Sequence, residues 1–131
     1  MPDQQPVEVI LLRHAASYLT IPIWITDARG NLVFYNAPAG EMIGKSFDEV
    51  GPLSVQQLQG KFKVTDLDGI PMSDAEVPTV IPLLTHRPAR GKVRFLALDG
   101  VWRDLEIWGT PLEAQSGRFL GVLSTFWELQ D

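Results

Sequence analysis

The chain has 131 residues, 45% of them hydrophobic and 21% charged, with no cysteine and a formal net charge of −5. At this length one compact domain buries about two-thirds of the surface its unfolded chain exposes, so a core forms without covalent staples. The missing thiols exclude a disulfide, a thiolate metal site, a thiol nucleophile and a flavin–thiol adduct, and the acidic balance argues against a phosphate backbone as partner.

Residues 6–19 read as a helix: Val7, Ile10, Leu11, Ala15 and Tyr18 lie on one face, with Val9, Leu12, Ala16 and Leu19 beside them. So wide an apolar stripe calls for two surfaces to cover it. The apolar runs at 9–12 and 19–25 fall far short of the ~20 residues of a membrane span, and no basic leader precedes them. The expected location is cytoplasmic, with no membrane partner.

Two strands follow. Trp24 and Thr26 alternate with Ile23 and Ile25, and Val33 and Tyr35 alternate with Leu32 and Phe34, around the turn Asp27-Ala-Arg-Gly30. Asn36 then stands as an N-cap before Ala37-Pro38-Ala39-Gly40-Glu41-Met42-Ile43, and Gly44 marks the end of a short helix. Further on, the only basic concentration is His86-Arg87-Pro88-Ala89-Arg90-Gly91-Lys92-Val93-Arg94, read as a solvated loop and strand edge with no nucleic-acid role.

The hairpin with its Asp-x-x-Gly turn and terminal Asn-Ala resembles the opening of a PAS domain. The resemblance runs over residues 19–128. Asp68-Gly69-Ile70-Pro71-Met72 leads to Asp74-Ala-Glu-Val-Pro78-Thr-Val-Ile-Pro-Leu-Leu84, which looks like the single longer helix of that family. Strands carrying Asp99-Gly100-Val101-Trp102, Gly109-Thr110-Pro111-Leu112 and Gly117-Arg118-Phe119-Leu120-Gly121 complete the order. The bacterial sensor subgroup is the most similar. The resemblance implies an α+β fold: a five-stranded antiparallel sheet of order 2-1-5-4-3, short helices on one face and the N-terminal helix on the other. Residues 1–20 would then be a cap or dimerisation helix and residues 21–131 the PAS domain. The implied function is that of a sensory, signal-transducing module.

Carried over residue by residue, the resemblance turns Tyr35 to the concave wall, and pairing brings Trp24, Thr26 and Val33 with it. Phe95, Leu105, Ile107, Gly109, Phe119, Gly121 and Leu123 are expected on the same wall. Gly109 and Gly121 would leave room for a small, largely apolar ligand, with Tyr35 and Thr26 as its polar handles. The alternative is that the aromatic rings fill the interior as core. The ligand is not identified by these residues. Light-sensing flavin relatives use polar amides where Phe95, Leu105 and Leu123 stand, and haem is disfavoured because His86 falls at a helix end and His14 in the N-terminal helix.

The opposite face, with the N-terminal helix, carries Ile10, Leu11, Tyr18, Ile23, Ile25, Trp102, Trp108 and Phe126, an apolar surface that suits a homodimer or a signalling partner acting in trans. The other reading of that helix is a cap on its own sheet. No enzymatic motif is present. The enzyme alternative, a ketosteroid-isomerase-like cone, requires Tyr35 and Asp104 on one concave wall. The non-sensor alternative is a ligand-free dimerisation module.

Overall fold

The computed structural model describes residues 6–129. One antiparallel sheet dominates, built from β1 (Ile23–Asp27), β2 (Leu32–Tyr35), β3 (Lys63–Thr65), β4 (Ala89–Leu96), β5 (Trp102–Glu113) and β6 (Phe119–Glu128). Its order is β2-β1-β6-β5-β4-β3. The five expected strands keep their expected order, and the short β3 adds a sixth at the edge beyond β4. Against one face lie α2 (Ala37–Ile43), α3 (Phe47–Val50), α4 (Val55–Lys61) and α5 (Ile81–Thr85), and against the other α1 (Val7–Ala16).

The β1–β2 turn is held by Asp27, whose Oδ1 accepts from the amides of Arg29 and Asn31 at 2.9 and 3.0 Å. Asn36 then ends β2 and caps α2. Its Oδ1 accepts from the amides of Ile23 at 2.9 Å and Ala39 at 3.2 Å, while its Nδ2 donates to the carbonyls of Ala16 at 3.1 Å and Ile21 at 2.8 Å. One buried amide thus joins the end of α1, the start of β1, the end of β2 and the first turn of α2. Gly44 ends α2 in the left-handed region.

Two short helices follow that the sequence reading left unassigned. Ser46 and Glu49 form a capping box on α3, and Ser54 and Gln57 form one on α4. Each satisfies otherwise orphaned amides at both ends of the box, which lets a helix of one or two turns persist. The expected long helix over 74–84 is instead a 3-10 turn (Asp74–Glu76), a buried link through Val77 and Pro78, and the five-residue α5. Pro78 and Pro82 each lack an amide proton, so a continuous hydrogen-bond ladder through this segment is not available.

Two apolar clusters occupy the two faces. Between sheet and helices, Leu32, Tyr35, Ala39, Ile43, Leu53, Val93, Leu105, Ile107 and Phe126 are buried. Beneath α1, Val9, Ala16, Ile23, Ile25, Val33 and Leu120 form the second cluster. Ile23 and Ile25, expected on a partner surface, are therefore covered by the chain's own helix. Among the described residues no helix is long and apolar enough to cross a membrane.

Candidate functional site

Between the concave face and the helices lies a cavity of about 530 Å³. The sheet supplies Trp24 and Thr26 from β1, Phe95 from β4, Leu105 and Ile107 from β5, and Phe126 from β6. The opposite wall comes from α4, through Val55, Leu58 and Gln59, with Phe62 just beyond it. Val77, Thr79, Val80, Leu83 and Leu84 close the side nearest α5, and Val64, Met72 and Ile43 complete the lining. At the rim stand Arg29 and Gly30 of the hairpin turn and Asp74 of the 3-10 turn. Gln59 Nε2 donates to Asp74 Oδ2 at 3.1 Å, so a side-chain hydrogen bond links α4 to the 3-10 turn.

Aromatic rings from the sheet and from the end of α4 meet along the lining. Trp24 stacks on Tyr35, with centroids 5.8 Å apart and planes 10° from parallel. Phe62 stands edge-on to Trp24 at 5.8 Å and stacks on Phe95 at 5.3 Å. Offset stacks and edge contacts are the arrangements that ring quadrupoles favour. Tyr35 lies behind Trp24, 1% exposed, and its hydroxyl donates to the Lys45 carbonyl at 2.7 Å. Burial pushes the Tyr35 phenol up to about 12, and the nearby Glu49 charge pushes the same way. Tyr35 therefore supports the wall, while its polar end is already occupied outside the cavity.

Of the residues assigned to the wall from sequence, Trp24, Thr26, Phe95, Leu105 and Ile107 come together around the cavity. Others are placed differently. Val33 faces α1, because the register slips between Ile25 and Thr26: Ile25 pairs with Phe34 and Thr26 with Leu32, which leaves Val33 as the extra residue of a bulge. Leu32 takes the inward position in its place. Along β6 the phase is one residue away from that expected. Thr26 pairs with Val122 and Ile107 with Phe126, so Val122, Ser124 and Phe126 face inward, and Leu123, paired with Ile25, faces α1. Phe126 accordingly lines the cavity and belongs to no partner surface. Phe119 stacks on His86 at 4.0 Å, outside the lining.

Neither glycine leaves space for a ligand. A Cβ on Gly109 would collide with the Pro78 carbonyl oxygen and lie 3.0 Å from the Pro82 ring, so Gly109 lets the α5 segment settle onto the sheet. Gly121, at φ 146°, lies against the Thr26 carbonyl and the Asp27 main chain. Its role is close backbone approach.

The sequence reading missed Phe62, Leu58, Val55, Val64, Met72 and the residues of the α5 side. The signal present for them was the pair of capping boxes, Ser46-x-x-Glu49 and Ser54-x-x-Gln57, which announce the helices that bring α4 over the sheet. Neither histidine lines the cavity, and among the described residues no group of three or more His, Cys, Asp or Glu is placed to hold a metal ion.

The face beyond α1 is partly uncovered. Trp102 and Trp108 of β5 are 47% and 42% exposed, and Ile10, Leu11 and Tyr18 project from α1 and the turn after it at 50%, 64% and 76%. Trp108 contacts Trp127 at 5.7 Å and lies under the Arg90 guanidinium at 5.5 Å. Asp104 is on this face, held by Arg94 at 2.9 Å, and that hydrogen bond keeps its carboxyl below the usual range. Tyr35 and Asp104 thus face opposite sides of the sheet, and the pair that an isomerase-like site needs does not converge.

No family model matches the chain, and no curated protein matches its sequence. Solved structures do match in fold. The chain is similar to a PAS domain from Colwellia psychrerythraea, with a TM-score of 0.62 at 18% identity over 93% of this chain and 97% of the other. It is similar to the Rhodobacter sphaeroides LOV protein, with a TM-score of 0.73 at 15% identity over 95% of this chain and 69% of the other. It also matches the PAS domain of nitrogen regulation protein NR(II) from Vibrio parahaemolyticus, with a TM-score of 0.63 at 18% identity over 91% and 98%. With these neighbours and this strand order, the chain is a PAS domain in fold.

Proposed function

We propose that this protein is a sensory module of signal transduction that binds a small, largely apolar molecule in the cavity between its sheet and helices. The observation that carries the reading is the 530 Å³ left between those layers although Trp24, Phe62 and Phe95 all project there. Its size falls within the usual range of ligand pockets, and an apolar lining with a few polar groups is their usual character. Occupancy would reposition α4 and α5 against the sheet and, through β6 and α1, alter how the outer face meets a partner. On this reading residues 1–20 act as a cap or dimerisation helix and residues 21–131 as the sensing domain, of which residues 1–5, 130 and 131 lie outside the described residues. The reading is a binding role; the isomerase-like alternative loses its support because its acid and phenol lie on opposite faces.

Ile107→Phe tests the reading. In an unfilled cavity the larger ring is absorbed with little change in melting temperature, and any small molecule seen by native mass spectrometry with the parent protein is lost. If the interior is closely filled, the added atoms cost typically ~1–3 kcal/mol, and with no ligand in the parent the sensor reading fails.

The exposed Trp102, Trp108, Ile10 and Leu11 favour a second reading, a ligand-free interaction module that forms a homodimer or engages a partner in trans. Sedimentation of the parent chain beside Leu11→Asp and Trp108→Arg checks it. Dimers that dissociate in either variant support the module, and a monomer in all three removes the homodimer.

A further inference from the structure

We propose that the occupant of the cavity is an uncharged, flat molecule of roughly two or three fused rings with one polar end at the rim, rather than a flexible acyl chain or an anion. The inference rests on the reading of the cavity as a ligand site and specifies what that site selects.

Charge is settled by where the ionisable groups stand. The floor, made by Ile43, Leu105, Ile107 and Phe126, is 1–7% exposed and wholly apolar. The ionisable side chains of the lining, Arg29 and Asp74, are at the rim, and both are exposed. A charge carried to the floor would lose its hydration with no partner in return. The body of the ligand is therefore neutral, and its polar end stays level with Arg29, Gln59 and Asp74.

Shape is settled by the rings. Phe62 and Phe95 lie within 25° of parallel, and Trp24 stands at 78° to Phe62, so the lining carries aromatic rings in two nearly perpendicular planes. A planar ring system presents a face to one plane and an edge to the other, and both contacts are favourable for aromatic pairs. Val80 and Leu83, also in the lining, offer branched aliphatic surface that suits the second face of a planar guest. An acyl chain of equal area gains none of the ring contacts and gives up more internal rotation on binding.

The probes are naphthol and decanol, which share a hydroxyl and differ in body, titrated calorimetrically into the full chain and into Phe62→Leu and Phe95→Leu. Both variants keep the site apolar while removing a ring, and each is checked by thermal unfolding so that one folded variant suffices. The expected result is tighter binding of naphthol, weakened roughly three- to tenfold by loss of either ring, with decanol unchanged within about twofold. If decanol binds as tightly as naphthol, or both weaken alike in the variants, the ring selectivity is overturned while the cavity remains a ligand site. If neither alcohol binds the parent chain, the ligand-site reading falls and this proposal with it.

Discussion

Gly121 of β6 touches the main chain of Thr26 in β1 so closely that any Cβ would overlap the Thr26 carbonyl oxygen. Gly121→Ala combines that overlap with a φ of 146°, which other residues rarely adopt. The expected loss is at least ~2–3 kcal/mol, seen as a large fall in the urea midpoint, with or without any ligand present. A neutral outcome would mean that β1 and β6 do not approach as described.

Gly60 in α4 predicts the opposite sign. Nothing lies within 4 Å of a Cβ placed there, and the residue is in the last turn of a helix. Gly60→Ala should stabilise by about 0.5–1 kcal/mol through reduced freedom of the unfolded chain, measured by the same denaturation.

Asn36→Ala removes four hydrogen bonds at once and leaves the Ile23 amide and the Ala16 and Ile21 carbonyls without that partner. At about 0.5–1.5 kcal/mol for each bond the expected cost is ~2–6 kcal/mol, a large share of the stability of a small domain. Hydrogen exchange should show α1 and the first turn of α2 losing protection together. Loss in only one of them would refute the junction.

The raised phenol of Tyr35 makes a pH prediction. The native state keeps this proton to about 12, whereas an unfolded tyrosine releases it near pH 10, so between those values the unfolded chain binds fewer protons. Stability is therefore complete below about pH 10 and falls as pH rises towards 12. Tyr35→Phe should lose about 1 kcal/mol at neutral pH, from the bond to Lys45, and show a smaller decline over the alkaline window.

Ser124 supplies a small change of the other kind. Its Oγ is buried without a hydrogen-bond partner among the described residues, between the inward-facing Trp24 and Gly109. Ser124→Ala removes a desolvated hydroxyl and should be neutral or stabilising by up to about 1 kcal/mol in thermal unfolding.

The hairpin and the Asn36 cap were legible because each rests on local chemistry: an Asp-x-x-Gly turn, a capping amide, alternation over a few residues. The strand order came from the resemblance to PAS domains and not from any local pattern. The phase of β6 was not legible. In Val122-Leu123-Ser124-Thr125-Phe126 both faces are partly apolar, so a one-residue shift leaves the pattern almost unchanged, and only pairing to β1 and β5 fixes it. Val33 turned away through a bulge that period-two reasoning does not anticipate. The cavity lining drawn from α4 and the α5 side depends on tertiary placement of two short, irregular segments, one of them broken by Pro78 and Pro82, and no periodicity marks these.

The division of the tryptophans between the two faces gives the molecule an internal optical reporter. Trp24 is packed among Tyr35, Phe62 and the cavity, while Trp102, Trp108 and Trp127 are each at least 40% exposed. Emission from the half-buried inner indole is expected at shorter wavelength and with weaker quenching by aqueous iodide than emission from the three outer indoles. A change at short wavelength would report on the cavity, and a change at long wavelength on the outer face, so one unlabelled sample would distinguish an event on one side of the sheet from an event on the other.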